Sequence, residues 1–284
     1  MAETLRQLTE AHLPRMAGRG RLLRAAPALT LCLFLGPVAA GIVGTVLPAF
    51  GYLPALGGTV FGLTPWRMLI AAPELPRAVI LTLFTGGTAT LLSFLLTIAF
   101  LAACHGSARM VRLRAALAPL LAVPHAALAL GLVFLAAPSG WIVRILSGVL
   151  SLWSGGWPLP PDIATAPDPF GLTLIAGLVL KETPFLLLMA FAALDQIHAD
   201  RTLNAARCLG YGPASAWLKA VLPQLYPQIR LPVFAVLAYS LSVVDMAIVL
   251  APTTPPPLAV LLTRWFADPD LDRRFAAAAG ATLQ

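Results

Sequence analysis

Apolar residues dominate the chain in five long runs, which polar or proline-rich connections separate. The runs cover residues 27–50, 78–103, 115–137, 170–194 and 231–250. Each run has about 20 residues or more, the length that an α-helix needs to cross the hydrocarbon core of a bilayer. A spanning segment must also satisfy its own backbone hydrogen bonds. The pattern therefore predicts five complete transmembrane helices in an all-α integral membrane protein.

Two further stretches have a helical pattern but are too short to span. Residues 275–284 are apolar and free of charge, so we interpret them as the start of a sixth helix and expect the natural polypeptide to continue beyond Gln284. Residues 141–153 are amphipathic and begin and end with tryptophan. This pattern predicts a helix resting on the outer membrane interface, with a short re-entrant helix as the alternative. The chain divides into segments 1–26, 27–73 and 74–284.

Composition excludes a soluble protein. The 284 residues are 59% hydrophobic and only 11% charged, with a mean hydropathy of +0.85, whereas a soluble domain carries about 25% charged residues. The net charge of +7 comes from 19 basic residues, of which 17 are arginine. They are spread over short connections without interleaved aromatic residues, a distribution that favours the loops of a membrane protein over a nucleic-acid surface.

The basic residues also predict the orientation. With the N-terminal segment inside, twelve basic residues fall in the inner connections and six in the outer ones. Because cytoplasmic loops carry the basic excess, this count predicts a multi-pass protein with a cytoplasmic N-terminus. The first run is too long for the apolar part of a signal peptide, so we expect it to be retained. The polar segment 198–223 is then cytoplasmic.

Segment 198–223, called the docking segment below, is the polar stretch with the most informative pattern. Its first half has helical spacing, and Gly210 interrupts it before a second short helical stretch. We predict two short helices joined by a glycine hinge and lying parallel to the membrane. Ala205 and Ala206 would face outward, where small side chains allow a partner surface to approach closely.

The spacing in the docking segment resembles the EAA loop of ABC-importer permeases. In that family Glu-Ala-Ala is followed by three residues, Gly, nine residues, Ile, one residue and Leu-Pro. The chain has the same spacing at Ala205, Ala206, Gly210, Leu222 and Pro223.

Two positions depart from the family pattern. Asn204 stands where the family often has an acid, and Ala220 stands where it has Ile. Asn204 would replace a salt bridge to the partner by a cap or a hydrogen bond. Residues 124–131, 137–141 and 181–185 extend the resemblance to the branch that includes the thiamine, iron and polyamine importers.

The resemblance implies a fold, a mechanism and a set of partners. The fold is that of a type I (MetI-like) ABC-importer permease in the bacterial inner membrane. The docking segment would bind an ATPase subunit, which holds ATP and magnesium and drives alternating access. A second permease half (a homodimer mate, a paralogue or a fused half), a periplasmic solute-binding protein and membrane lipid would complete the assembly.

The sequence predicts no catalytic chemistry or cofactor site in the chain itself. Its two lysines, Lys181 and Lys219, do not follow glycine, so there is no phosphate-binding loop of the Walker type. Cys32, Cys104 and Cys208 are scattered, which argues against a disulfide framework and a zinc site. We therefore expect no metal, and a transport subunit rather than an enzyme.

Several polar residues lie inside the predicted spans. Inserting a lone charge into a membrane span costs about 2.5–3.5 kcal/mol of free energy. Lys181 and Glu182 are therefore expected to pair with Asp245 on the neighbouring span. The group either lines the translocation path or fixes the helices in register. His125 follows Pro124. Its imidazole either hydrogen-bonds to a backbone carbonyl that the proline leaves without a partner or lines the translocation path.

An ion-coupled secondary transporter is the alternative function. It would use Asp245, Lys181 and Glu182 as an ion relay and would carry an internal repeat, but no repeat is visible in the sequence. The charge along the spans shows no strong bias that would select a cation or an anion. The resemblance implies that substrate selectivity rests largely with the solute-binding protein.

Overall fold

The computed structural model describes residues 17–154 and 165–284. The basic residues Arg6 and Arg15 lie outside these ranges. The secondary structure of the described chain is α-helical apart from an isolated β-bridge between Leu53 and Gly58, the 3₁₀ turn Pro54–Leu56 and the π-helical turn Trp217–Val221, and irregular connections join these elements. The α-helices are α1 Ala17–Ala49, α2 Thr64–Ala71, α3 Leu75–Cys104, α4 Ala108–Ala122, α5 His125–Ala136, α6 Trp141–Ser154, α7 Leu172–Leu194, α8 Ala199–Cys208, α9 Pro213–Ala216, α10 Leu222–Ser242, α11 Asp245–Leu250, α12 Leu258–Phe266 and α13 Asp272–Leu283.

Three of the five predicted spans are confirmed as single helices, namely α1, α3 and α7. Within the described residues, four helical stretches rather than five are long and apolar enough to cross a membrane. They are Ala25–Ala49, Leu75–Cys104, His125–Gly148 and Leu172–Leu194. The helix predicted over 141–153 is confirmed as α6, and its position at the membrane interface stays a prediction. The expected start of a sixth span forms α13, a helix of 12 residues.

The prediction of one helix over 115–137 is wrong. The helix breaks after α4, and Val123 is extended with φ −66° and ψ 126° before α5 begins at His125. Pro124 favours the break, because it has no N–H to continue the ladder and disfavours the helical conformation of the residue before it. The apolar run therefore joins the end of one helix to the whole of the next.

The prediction of one helix over 231–250 is also wrong. Helix α10 begins at Leu222 and ends at Ser242, and α11 begins after a break with Val243 at φ −63° and ψ 129°. Pro223 does not interrupt the helix because it lies just after the π-helical turn Trp217–Val221, where the regular α-helical hydrogen-bond ladder is already shifted. The first turns of α10 are polar, so the apolar pattern misses where this helix starts.

The core forms where α3, α7 and α10 pack along one another. Gly86 of α3 permits the close approach of α10, because a Cβ there would lie 2.8 Å from the Leu241 side chain and 3.0 Å from the Ser240 carbonyl. The Thr82 hydroxyl of α3 accepts the Leu258 N–H at 2.8 Å and so fixes the start of α12. Helix α13 packs against α12 and also contacts α1 and α2.

The first turn of α7 is capped by the buried carboxylate of Asp168. Its oxygens accept the N–H groups of Phe170 at 3.1 Å, Leu172 at 2.7 Å and Thr173 at 2.7 Å. The N–H groups at the start of a helix have no partner within the helix. The positive end of the helix dipole lies at the same place and favours a negatively charged group. Asp168 therefore determines where the central helix begins.

The break between α4 and α5 is held by Lys181 of α7. The Lys181 ammonium donates to the carbonyls of Leu120 at 3.3 Å, Leu121 at 3.0 Å and Val123, and the residue is only 6% exposed. These carbonyls lose their helical partners at the break, and a cation at the C-terminal end of a helix is favourable. Lys181, rather than His125, thus donates hydrogen bonds to the carbonyls that have lost their helical partners at the break before Pro124.

The expected pairing of Lys181 with Asp245 is wrong. Among the described residues no ion pair joins them, because the lysine points toward the end of α4. Backbone dipoles rather than an acid offset the cost of its charge.

Replacing Lys181 by Met should destabilise the protein. The change keeps the apolar stem but leaves buried carbonyls without donors, which should lower the free energy of unfolding in detergent by about 2–4 kcal/mol. Lys219→Met removes the only other lysine, which is exposed, and should leave that free energy within about 0.5 kcal/mol of the wild-type value. Equal effects of the two substitutions would contradict the role of Lys181 at the break.

Removing the cap of α7 should have a graded effect. Asp168→Ala should lower the free energy of unfolding by about 1–2 kcal/mol, because three N–H groups lose their acceptor. Asp168→Asn keeps one acceptor oxygen and should fall between Ala and the wild type. Denaturant titration in detergent measures both, and an Ala variant as stable as the wild type would overturn this role.

Candidate functional site: the docking segment and a polar cluster

The first helix of the docking segment, α8, is amphipathic. Leu203 and Ala206 are buried, at 3% and 6% exposure, in the cluster that contains Trp217. Asn204 and Ala205 are exposed. The three-residue spacing of Leu203 and Ala206 puts both on the inner face. The prediction that Ala206 faces outward is therefore wrong, whereas Ala205 does so.

Gly210 ends α8 in a backbone conformation that glycine adopts easily. Its φ is +85°, and the N–H of Tyr211 closes the helix end by donating to the Ala206 carbonyl at 3.1 Å. Side chains with a Cβ are strained at this φ, even though a Cβ at Gly210 would meet no atom within 4 Å. The predicted interruption at Gly210 is confirmed.

The second helical stretch does not form a separate short helix. Helix α9 passes through the π-helical turn Trp217–Val221 directly into α10, whose first residues are the half-buried Leu222 and the exposed Pro223. Between α8 and this continuous helix lies an open groove lined by Thr202, Ala205, Ala206, Leu209, Tyr211 and Lys219. Leu209 is 78% exposed beside it. The groove offers small and apolar side chains to a partner.

Polar contacts attach the docking segment to the long helices. Arg114 of α4 donates to both carboxylate oxygens of Asp195, at 3.0 and 3.1 Å, and to the Phe191 carbonyl at 3.2 Å. Its guanidinium also lies 4.8 Å from the centroid of the Phe191 ring. His105, which follows α3, lies 2.9 Å from Asp200 in the first turn of α8. The His105–Asp200 contact therefore ties the docking segment to the end of α3, and Arg114 ties α4 to the end of α7, from which the segment continues.

A second group of functional candidates meets between four helices. His125 Nε2 lies 3.5 Å from Glu182 Oε1, and the ring centroids of His125 and Tyr239 are 4.8 Å apart. The Tyr239 hydroxyl donates to Asp245 Oδ1 at 3.3 Å. We call His125, Glu182, Tyr239 and Asp245 the polar cluster. It joins α5, α7, α10 and α11.

The polar cluster corrects the sequence-based grouping of residues. It brings together Glu182, Asp245 and His125, but Lys181 points away toward α4. Tyr239 was missed, although a tyrosine within an apolar run usually needs a partner for its hydroxyl when it is buried. Within residues 17–154 and 165–284, no three His, Cys, Asp or Glu side chains are placed to hold a metal ion.

The chain resembles a curated relative in sequence. It is 31% identical over 255 residues to the inner membrane ABC transporter permease protein YnjC of Escherichia coli strain K12. The match covers 89% of this chain and 46% of the relative, so the chain spans about half the length of that protein. No protein-family model matches the chain.

Its fold is shared with a solved transporter. In the crystal structure of a bacterial ABC transporter involved in the import of the acidic polysaccharide alginate, one chain superimposes with a TM-score of 0.70. The match covers 93% of this chain and 92% of the other at 20% identity, which shows a common fold. The chain is therefore similar in sequence to an inner membrane ABC transporter permease and similar in fold to a chain of a second ABC transporter.

Proposed function

We propose that the chain is a transmembrane permease subunit, or half-subunit, of an ATP-driven solute importer in the bacterial inner membrane, with its N-terminus in the cytoplasm. The observation that carries the proposal is the docking segment. Its EAA-like spacing coincides with a groove that presents Ala205. The Gly210 turn ends α8 beside that groove, and the His105–Asp200 contact attaches α8 to the end of α3. The permease relative and the shared fold support the same function.

The proposed assembly supplies what the chain lacks. One docking segment serves one ATPase subunit, so two permease halves would face two ATPases around one path. The second half is a homodimer mate, a paralogue or a fused half. ATP and magnesium belong to the ATPases, catalysis therefore lies outside this chain, and a periplasmic solute-binding protein delivers the substrate.

Force would pass from the ATPase into the spans through packed contacts. Helix α8 buries Leu203 against the cluster that contains Trp217, Phe191 of α7 and Leu101 of α3. Closely packed side chains transmit displacement because they have little room to yield. Closure of the ATPases would thus move α3, α7 and α10 as a body between inward-open and outward-open states.

An ion-coupled transporter is the second candidate, favoured by the polar cluster. Titratable groups that face one another within a membrane protein are typical of ion relays. Against it, Lys181, one of the three relay residues, is fixed by backbone carbonyls. Uptake into ATP-depleted vesicles that is driven by an ion gradient would support this candidate and contradict the ATP-driven importer function.

Ala205→Glu should block docking of the ATPase. The exposed alanine lines the groove, and the larger, charged side chain would occupy the space of the partner surface and lose its water on complex formation, which should reduce the co-purifying ATPase about tenfold or more. Thermal stability in detergent should be unchanged, because the side chain is exposed. Ala267→Glu, at an exposed alanine beyond the docking segment, is the matched control and should retain the ATPase.

Gly210→Val should uncouple transport from ATP hydrolysis without unfolding the spans. The φ of +85° strains a β-branched residue by about 1–2 kcal/mol, so the chain after α8 should be redirected. The matched control is Gly212→Val, because Gly212 is extended at φ −66° and ψ 162° and tolerates valine. Uptake and ATPase rates in proteoliposomes measure the coupling. Equal coupling in the two variants would show that the Gly210 turn carries no force.

A further inference from the structure

The carboxylate of Glu182 lacks a hydrogen-bond donor. The side chain is only 8% exposed, and its neighbour His125 lies at 3.5 Å, beyond the usual hydrogen-bond distance. No other described residue donates a hydrogen bond to it, nor is it in an ion pair with Lys181. A buried charged acceptor without a donor is unfavourable. The position therefore suits a ligand that brings a donor of its own.

Asp245 adds a second carboxylate to the same cluster. It is exposed, and its one hydrogen-bond partner among the described residues is the neutral hydroxyl of Tyr239 at 3.3 Å. The ammonium of Lys181 is buried against the carbonyls at the end of α4. The polar cluster thus has acceptors and negative charge on its open side, where Asp245 is accessible.

The rings of His125 and Tyr239 lie between the two carboxylates, with their centroids 4.8 Å apart. An aromatic face beside a carboxylate is a common environment for organic cations. Small metal cations are a poorer fit, because no three metal-ligating side chains of the described residues converge there. The chemistry of the cluster favours an ammonium group over a metal ion or an anion.

We propose that the polar cluster binds the positively charged group of the transported solute, an organic cation with N–H or hydroxyl donors. Glu182 accepts a hydrogen bond from the solute, and Asp245 and the ring of Tyr239 attract its charge. The spans have little overall charge bias, so the selection of a cation would take place at the polar cluster alone. The proposal rests on the proposed importer function and names its substrate class.

The test uses the complete transporter with its ATPase and solute-binding protein in proteoliposomes. Radiolabelled methylammonium, putrescine and choline probe cations, sorbitol probes neutral solutes and succinate probes anions. We expect ATP-dependent uptake of at least one cation and none of sorbitol or succinate. Glu182→Gln and Asp245→Asn keep the side-chain size and should each lower that uptake about tenfold or more, since a charge-assisted contact is lost.

Glu74→Gln is the matched control, because Glu74 is an exposed carboxylate before α3, and it should keep uptake within about twofold of the wild type. If Glu182→Gln fails to assemble, Tyr239→Phe removes one hydroxyl only and should weaken uptake of the same cation. Uptake of succinate or sorbitol, uptake of no cation, or unchanged uptake in the cluster variants would overturn the proposal.

Whether an ATPase co-purifies with the protein distinguishes a failure of the cationic-substrate proposal from a failure of the proposed importer function. A bound ATPase together with any overturning uptake result refutes the cationic substrate alone. Absence of the ATPase from the wild-type preparation refutes the importer function itself. The cluster variants should keep the ATPase, because the docking segment is untouched.

Discussion

The break between α4 and α5 and the Lys181 ammonium that fills it are the constraint on which the central helices depend. Carbonyls that lose their helical partners inside a membrane protein cannot turn to water and must find donors within the protein. Lys181 supplies them from α7, at 3.0 Å to the Leu121 carbonyl. The charge and the open helix end are each costly alone and offset each other. The break in turn starts α5 at His125, which is how the imidazole reaches Glu182.

Helix α4 is consequently tied to α7 at two levels. Near its middle, Arg114 binds Asp195 and the Phe191 carbonyl, and at its end Lys181 holds the backbone. Two attachments along one helix resist both sliding and rotation, whereas a single attachment would act as a pivot. With Asp168 fixing the first turn of α7, α7 is held by polar contacts at its start, its middle and its end.

The sequence predicted what depends on local pattern and missed what depends on long-range contact. Apolar length located α1, α3 and α7, and glycine chemistry located the end of α8. The partner of Lys181 could not be predicted, because it is a set of backbone carbonyls on a helix about 60 residues away in sequence, which no side-chain pattern records. By contrast, the side of Ala206 follows from a local signal, because its helical spacing from Leu203 places both residues against the cluster that contains Trp217, whereas Ala205 faces outward.

Helix α7 connects the two candidate sites of the proposed importer. Its last turn contacts Arg114 and precedes the docking segment, and its middle carries Glu182 of the polar cluster. A displacement of the docking segment therefore reaches Glu182 along one helix that α4 keeps from rotating. His125 and Asp245 lie on α5 and α11, each beyond a helix break, so helices other than α7 carry them, and a shift of α7 relative to those helices would change their distance from Glu182. A cation held between Glu182 and Asp245 would accordingly lose one of its two carboxylates when the packed helices move, which is the change in affinity that alternating access requires.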